Sequence, residues 1–237
     1  MKDHLTTREV DFISINIQTE EDAFDQLREL GMMALPVVAR GDEYTLGLDL
    51  QQVLDFLGLD EAAPELLPAD ALVDRIAAIV PATVRYATQL PSETHDRTIP
   101  GRERTYLGLA NHIVGHVENF LNLAGGANFT LDGIDPDILK GLERRIDSPV
   151  ALAERADGVL ADLWTWFHGA KPSDLDRLVE TFFGDQTLYA LLGSCAYSVA
   201  QHTRQLIAVL ELLGVEPDRP LGDNDYAGIS LPAALWE

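Results

Sequence analysis

Between residues 70 and 214 apolar side chains recur at spacings of three and four, a pattern that confines this stretch to α-helices packed side by side. Leu72, Ile76, Ile79, Thr83, Tyr86 and Leu90 form one such seam. Pro91 to Arg104 interrupts it with polar residues and prolines. A second seam follows, with Tyr106, Leu109, Ile113, Val117 and Phe120, stopping at Gly125-Gly126. A third helix is predicted from Ser148-Pro149 to Phe167, with Ser148 as cap and proline in the first turn. The fourth spans 186 to 213, with Leu188, Leu191, Cys195, Val199, His202, Leu206, Val209 and Leu213 on one face and Gly214 ending it. Four helices with one apolar stripe each must cover those stripes against one another, which predicts a four-helix bundle.

The first quarter carries a different pattern. Val10–Ile17 is β-branched and alternating, and predicts a strand. Thr19-Glu20-Glu21-Asp22 sets a capping hydroxyl and acids ahead of Phe24, Leu27 and Leu30, and Gly31 suits the end of that helix. Leu35 to Ala39, the turn Arg40-Gly41-Asp42-Glu43 and Tyr44-Thr45-Leu46 predict a hairpin. Asp49 can cap a short helix carrying Leu50, Val53, Leu54 and Leu57. The sum is a β-α-β-β-α unit over residues 8–58. A proline- and acid-rich linker over 59–69 and a bundle over 70–237 complete an α+β chain. His4, His95 and His168 fall in loops or at helix ends and are read as solvent-exposed.

Composition enters through charge. The chain holds 17 basic and 39 acidic residues, a formal net charge of −22 at pH 7. Such an excess repels phosphate backbones and anionic lipid heads, so neither nucleic acid nor a membrane surface is an expected partner. No apolar run approaches the roughly 18–20 residues that span a bilayer. The first residues lack the apolar stretch of a secretion signal, which leads to the expectation of a cytoplasmic protein. The single cysteine, Cys195, excludes internal disulfides and any multi-cysteine zinc site.

Polar residues on stripes that should be apolar are the informative ones. Cys195, Ser198 and His202 lie within about 60° of one another around the fourth helix, in line with Leu191 and Leu206. His112 and His116 sit four apart on the second helix, about 40° from each other, at the edge of its seam. Imidazoles on adjacent turns come about 5–6 Å apart at Cβ and can chelate one divalent cation. If the second and fourth helices are neighbours, His202 supplies a third nitrogen and the set leaves an open coordination position. A plainer reading stands beside this one. Two histidines at this spacing also occur on surfaces or as hydrogen-bonded core residues, a lone buried cysteine is often just a small core residue, and a helical serine often bonds back to its own helix. Trp164, Trp166 and Phe167 read as core packing, with a ligand-stacking wall as the minority alternative.

Two segments resemble known families. Residues 8–58, through Leu35-Pro36-Val37-Val38, Gly41, Gly47 and Asp49, resemble the later part of a glutaredoxin, a thioredoxin-like fold. The resemblance implies that Pro36 precedes the strand whose backbone receives the cysteinyl group of a thiol peptide, with Gly47 and Asp49 near its γ-glutamyl end. The first strand, first helix and CxxC are missing here, so the segment implies no thiol–disulfide exchange. The edge left exposed by the missing strand is an expected homodimer contact. The bundle segment, through LANHIVGHVENFL around His112 and SVAQHTRQL at Ser198–Leu206, resembles the DinB-like (YfiT-like) four-helix bundles. That family typically binds a divalent metal through one histidine of the second helix and an HxxxH pair of the fourth. Carried over, these positions are His112, Ser198 and His202. Serine stands where the family has histidine, and its hydroxyl is a poor ligand for zinc or nickel. His116, one turn beyond His112, can supply the missing nitrogen, giving a His112/His116/His202 site with Cys195 and Ser198 as lining.

Two functions follow as expectations. In the first, a divalent metal, zinc or nickel, activates a low-molecular-weight thiol or water for attack on a small-molecule electrophile, making the chain a thiol-dependent transferase or isomerase, or a metal-assisted hydrolase. In the second, the metal site is degenerate, Cys195, Ser198 and His202 merely line an interior pocket, and the chain is a non-catalytic, stress-associated protein that binds a small ligand or metal.

Overall fold

The computed structural model describes residues 5–6, 8–15, 20, 22–30, 36–47, 50–60, 62, 65–99, 104–127, 129–130, 133–134, 146–181 and 184–236. The chain divides into two compact units, Met1–Glu65 with Pro232–Ala234, and Leu66–Leu231 with Leu235–Glu237.

In the first unit, helix α1 covers Ala23–Glu29, and strands β1 (Val37–Arg40) and β2 (Glu43–Leu46) pair antiparallel with Arg40 opposite Glu43. Of the two turn residues only Gly41 takes a left-handed conformation, at φ 63°. That is the type II′ pattern, which matches strand twist and requires glycine at its first position. Helix α2 (Leu50–Leu57) packs on β2, burying Val53 and Leu54 together with Leu46. The expected strand at 10–17 is corrected for its described part: residues 10–15 form no ladder, and Ile13 is 90% exposed. A β-branched run becomes a strand only where a neighbour takes up its backbone groups, so propensity alone does not carry it. The N-cap of α1 is Asp22, whose side chain makes no capping bond. His4, Ile17, Thr19, Gly31, Leu35 and Asp49 lie outside the described residues, as does the side chain of Phe24.

The second unit is a four-helix bundle. Its long helices are α3 (Ala69–Gln89), α4 (Tyr106–Ala124), α5 (Pro149–Gly169) and, after the single turn α6 (Pro172–Leu175), α7 (Leu188–Leu212). Capping sets several ends as expected. Thr105, Ser148 and Thr187 each accept a bond from the amide three residues on, and Pro149 occupies the first turn of α5. Arg177 donates to the Leu123 and Ala124 carbonyls at the end of α4. Helices α5 and α7 each pack against both α3 and α4. Ile76, Ile79, Leu109, Ile113, Leu152, Leu163, Leu188 and Leu192 are among the largest fully buried side chains. The two-residue strands β3 (Phe129–Thr130) and β4 (Gly133–Ile134) pair with each other, as do β5 (Leu178–Val179) and β6 (Gln186–Thr187). No helix among the described residues is long and apolar enough to cross a membrane.

After α7 the chain returns along α3. Arg85 donates to the Asp218 and Arg219 carbonyls, Gln89 exchanges bonds with Glu216 and Asp218, and the Tyr86 hydroxyl accepts from the Leu221 amide. Helix α8 (Asp223–Tyr226) closes this stretch.

Two fully buried hydroxyls fix the register of α7 on α3. Thr83 and Thr203 Oγ1 atoms lie 2.8 Å apart, and each also lies within hydrogen-bonding distance of the carbonyl one turn back. Each hydroxyl has one proton, so one donates to its partner and the other to its own helix. Removing either alone frees the survivor to bond back, at a cost of about 1 kcal/mol. Chemical unfolding of Thr83→Val, Thr203→Val and the double variant is expected to show each single costing about 1 kcal/mol and the double about the sum of the two, because two bonds become one in either single and none in the double. A single variant as costly as the double would contradict the survivor's bonding back to its own helix.

Candidate metal centre

Helix α4 carries a ladder at intervals of four: Arg104 just ahead of it, then Gly108, His112, His116 and Phe120. Residues four apart stack along one face, so these positions project in one row. A Cβ at Gly108 would lie 2.7 Å from the capping Thr105 Oγ1, so a side chain there would displace the cap, and 3.7 Å from Arg104 Cγ. The Arg104 stem therefore runs beside bare helix backbone one turn below His112. Phe120 is buried and meets Trp166 of α5 edge to face, with centroids 4.8 Å apart.

Because α4 and α7 are packed neighbours, His202 of α7 faces the pair. Ring centroids are 4.4 Å apart for His112–His116, 5.0 Å for His112–His202 and 5.3 Å for His116–His202. One nitrogen from each ring can be chosen so that all three lie within 4.8 Å of one another. The Nε2 atoms of His112 and His116 are 3.1 Å apart and share one proton in a hydrogen bond. Two nitrogens bound to a tetrahedral zinc at 2.0–2.1 Å stand about 3.3 Å apart, so this pair already has the spacing of two ligands on one ion. The third nitrogen needs to close by at most about 1.5 Å, within the reach of a small rotamer adjustment. The cluster could thus hold a metal ion.

Protonation agrees with that role. Burial, the neighbouring His202 and the Arg104 cation push His116 down to about 3. Burial first, then His116, Arg104 and His202, also lowers His112 well below the ordinary imidazole range. Both rings are neutral at pH 7, and a neutral imidazole offers the lone pair a metal needs.

The other anticipated residues fall as follows. Ser198 lies one turn before His202 on α7 and is half-buried. Cys195 is buried, its thiol donates to the His116 carbonyl at 3.5 Å, and burial pushes its pKa up, so it is no thiolate at neutral pH. Pro36 is exposed at the start of β1, where its carbonyl accepts from the Gly47 amide at 2.7 Å. It belongs to the first unit and is no part of the histidine cluster. His168 is exposed, as expected, and stacks on Trp164. His95 is corrected from exposed to half-buried, with Nε2 3.3 Å from the Leu90 carbonyl.

Sequence reasoning missed two supports of the site. Arg155 of α5 is buried and donates to the Asn111 carbonyl at 3.1 Å, to Asn111 Oδ1 and to Glu118 Oε2. Asn111 and Glu118 are seven apart, so they lie on one face of α4 and fix its rotation about its axis. The signal was an arginine three residues after Leu152 in the stripe that α5 buries. Gln205 is the other, and bonds His202 Nδ1 at 2.8 Å. Comparison of the chain with protein-family models gives no match, and comparison with curated proteins gives none.

Neutral burial of two imidazoles makes stability pH-dependent. Unfolded histidine titrates near 6.5, and folded His116 near 3, so between these values the unfolded chain binds more protons. The stabilisation is complete above about pH 6.5 and is lost as pH falls toward 3, with an upper limit of about 1.4 kcal/mol per pH unit for each ring. Urea unfolding of metal-free protein is expected to show lower stability at pH 5.5 than at 7.5, and a His112→Gln/His116→Gln double variant a flatter dependence. Equal slopes would contradict the burial argument.

Proposed function

We propose that this chain is a divalent-metal protein of the DinB-like kind, in which His112, His116 and His202 hold zinc or nickel and a small molecule takes the remaining coordination position. The observation that carries the reading is the convergence of three imidazole rings from two helices, with centroids 4.4 to 5.3 Å apart. A three-nitrogen donor set suits zinc or nickel and leaves a fourth position for a ligand. When bound, such an ion supplies Lewis acidity that lowers the pKa of a low-molecular-weight thiol or a water enough for attack on a small electrophile at neutral pH. The chain's own part is to present neutral nitrogens. Cys195 cannot serve as the nucleophile, because its buried thiol keeps its proton. The acidic chain, at −22, favours accumulation of cations around it.

A second reading is non-catalytic binding of a metal or small ligand. It is favoured by the His112–His116 hydrogen bond, which satisfies two site nitrogens without any ion. The glutaredoxin resemblance of the first unit adds a place where a thiol peptide could dock at Pro36, with no redox step of its own.

Elemental analysis of untagged protein, loaded with zinc or nickel and dialysed, is expected to give about one equivalent per chain. His116→Ala and His202→Ala should each lose it, while His168→Ala keeps it. Retention by His116→Ala would contradict the assignment of that ring. Turnover of an electrophile with glutathione, mycothiol or bacillithiol, abolished by metal removal, separates the enzymatic reading from binding alone. A metal-loaded protein inert toward all three thiols and water would favour binding.

A further inference from the structure

Gln205 is 4% exposed and sits three residues after His202 on α7. Its Nε2 lies 2.7 Å from the Leu235 carbonyl, which has no proton and can only accept. The amide nitrogen must therefore face Leu235, and Oε1 must face His202 Nδ1 at 2.8 Å. Oε1 only accepts, so Nδ1 carries the proton and the lone pair of a neutral ring is on Nε2.

The far end of the network is constrained in the same way. Gln201, 6% exposed, also donates from Nε2 to the Leu235 carbonyl at 3.1 Å, filling that oxygen's second lone pair. Its own Oε1 accepts from the Arg204 guanidinium at 2.8 Å. An arginine has no acceptor, so neither glutamine can be turned over without placing two donors or two acceptors against each other. The bonds converge on the Leu235 carbonyl, from Arg204 through Gln201 on one side and from His202 through Gln205 on the other.

We infer that Gln205, held by the backbone carbonyl of Leu235, is a positioning residue that fixes His202 as its Nδ1–H tautomer and so presents Nε2 toward His112 and His116. The inference rests on the metal reading for its consequence, affinity, but the tautomer exists without metal. A ligand histidine that gives its other N–H to an oriented acceptor is a stronger and better aimed donor, and loss of such a partner typically weakens metal binding by about 10–100-fold. The contact makes the Leu235 backbone part of the site.

Two variants test this. Gln205→Leu keeps the volume and removes both bonds. Gln205→Glu cannot donate to Leu235 but still accepts from Nδ1. The first readout is the His202 tautomer in metal-free full-length protein, from long-range proton–nitrogen correlation spectra of nitrogen-labelled histidine. The second is zinc affinity by competition with a chromophoric chelator. The native protein and Gln205→Glu are expected to show Nδ1–H. Gln205→Leu is expected to shift toward Nε2–H, the form free imidazole side chains prefer, and to bind zinc at least about tenfold more weakly. A purely structural role would not move the tautomer. An Nε2–H ring in the native protein or in Gln205→Glu overturns the inference, as does a Gln205→Leu variant with unchanged tautomer. If Gln205→Leu fails to fold, the native protein and Gln205→Glu decide the matter by themselves. A native protein that shows Nδ1–H, loses it in Gln205→Leu and yet binds no zinc upholds the positioning role while removing the metal reading.

Discussion

Three imidazoles cannot all be protonated when their rings are packed about 5 Å apart in a poorly solvated site. Like charges at that range repel strongly, and partial burial strips away the water that would screen them. The bundle thus commits His112 and His116 to neutral forms at physiological pH, with the nearby Arg104 cation adding to the effect. Three buried or half-buried imidazoles are polar groups that need partners, and the His112–His116 hydrogen bond satisfies only part of that need. A bound cation would turn the three rings into ligands, and the cluster could hold one.

What holds the rings there is a set of polar contacts at the margins of an apolar bundle. Arg155 reaches from α5 to Asn111 and Glu118, setting the rotation of α4 so that His112 and His116 turn toward α7. The Thr83–Thr203 pair sets how far α7 slides along α3 and hence the height of His202. Gln205 then sets the angle of the last ring. Each of these contacts links the site to a different helix or segment, and each is buried where an unpaired group would be expensive. Stability and site geometry therefore depend on the same bonds.

The helical part of this arrangement was legible in the sequence because its stripes repeat over four long segments. Ser148-Pro149 and Gly125 mark ends that the structure reproduces. The histidine pair was legible because a four-residue spacing has one meaning on a helix. That His202 would meet it required knowing which helices touch, and periodicity carries no such information. The strand expected at 10–17 illustrates the opposite limit, since β-structure depends on a partner that local pattern does not name. Arg155 and Gln205 were passed over for a related reason. A single charged or amide residue in a helix looks solvated until the neighbouring helix is in place.

The most direct test of the metal centre is an anomalous difference map from crystals of the full chain soaked in zinc, collected on either side of the zinc absorption edge. The account predicts one peak in the bundle interior, about 2.0–2.1 Å from a nitrogen of each of His112, His116 and His202. A map with no peak there, or a peak held by other side chains while His112 and His116 keep their hydrogen bond, would contradict it.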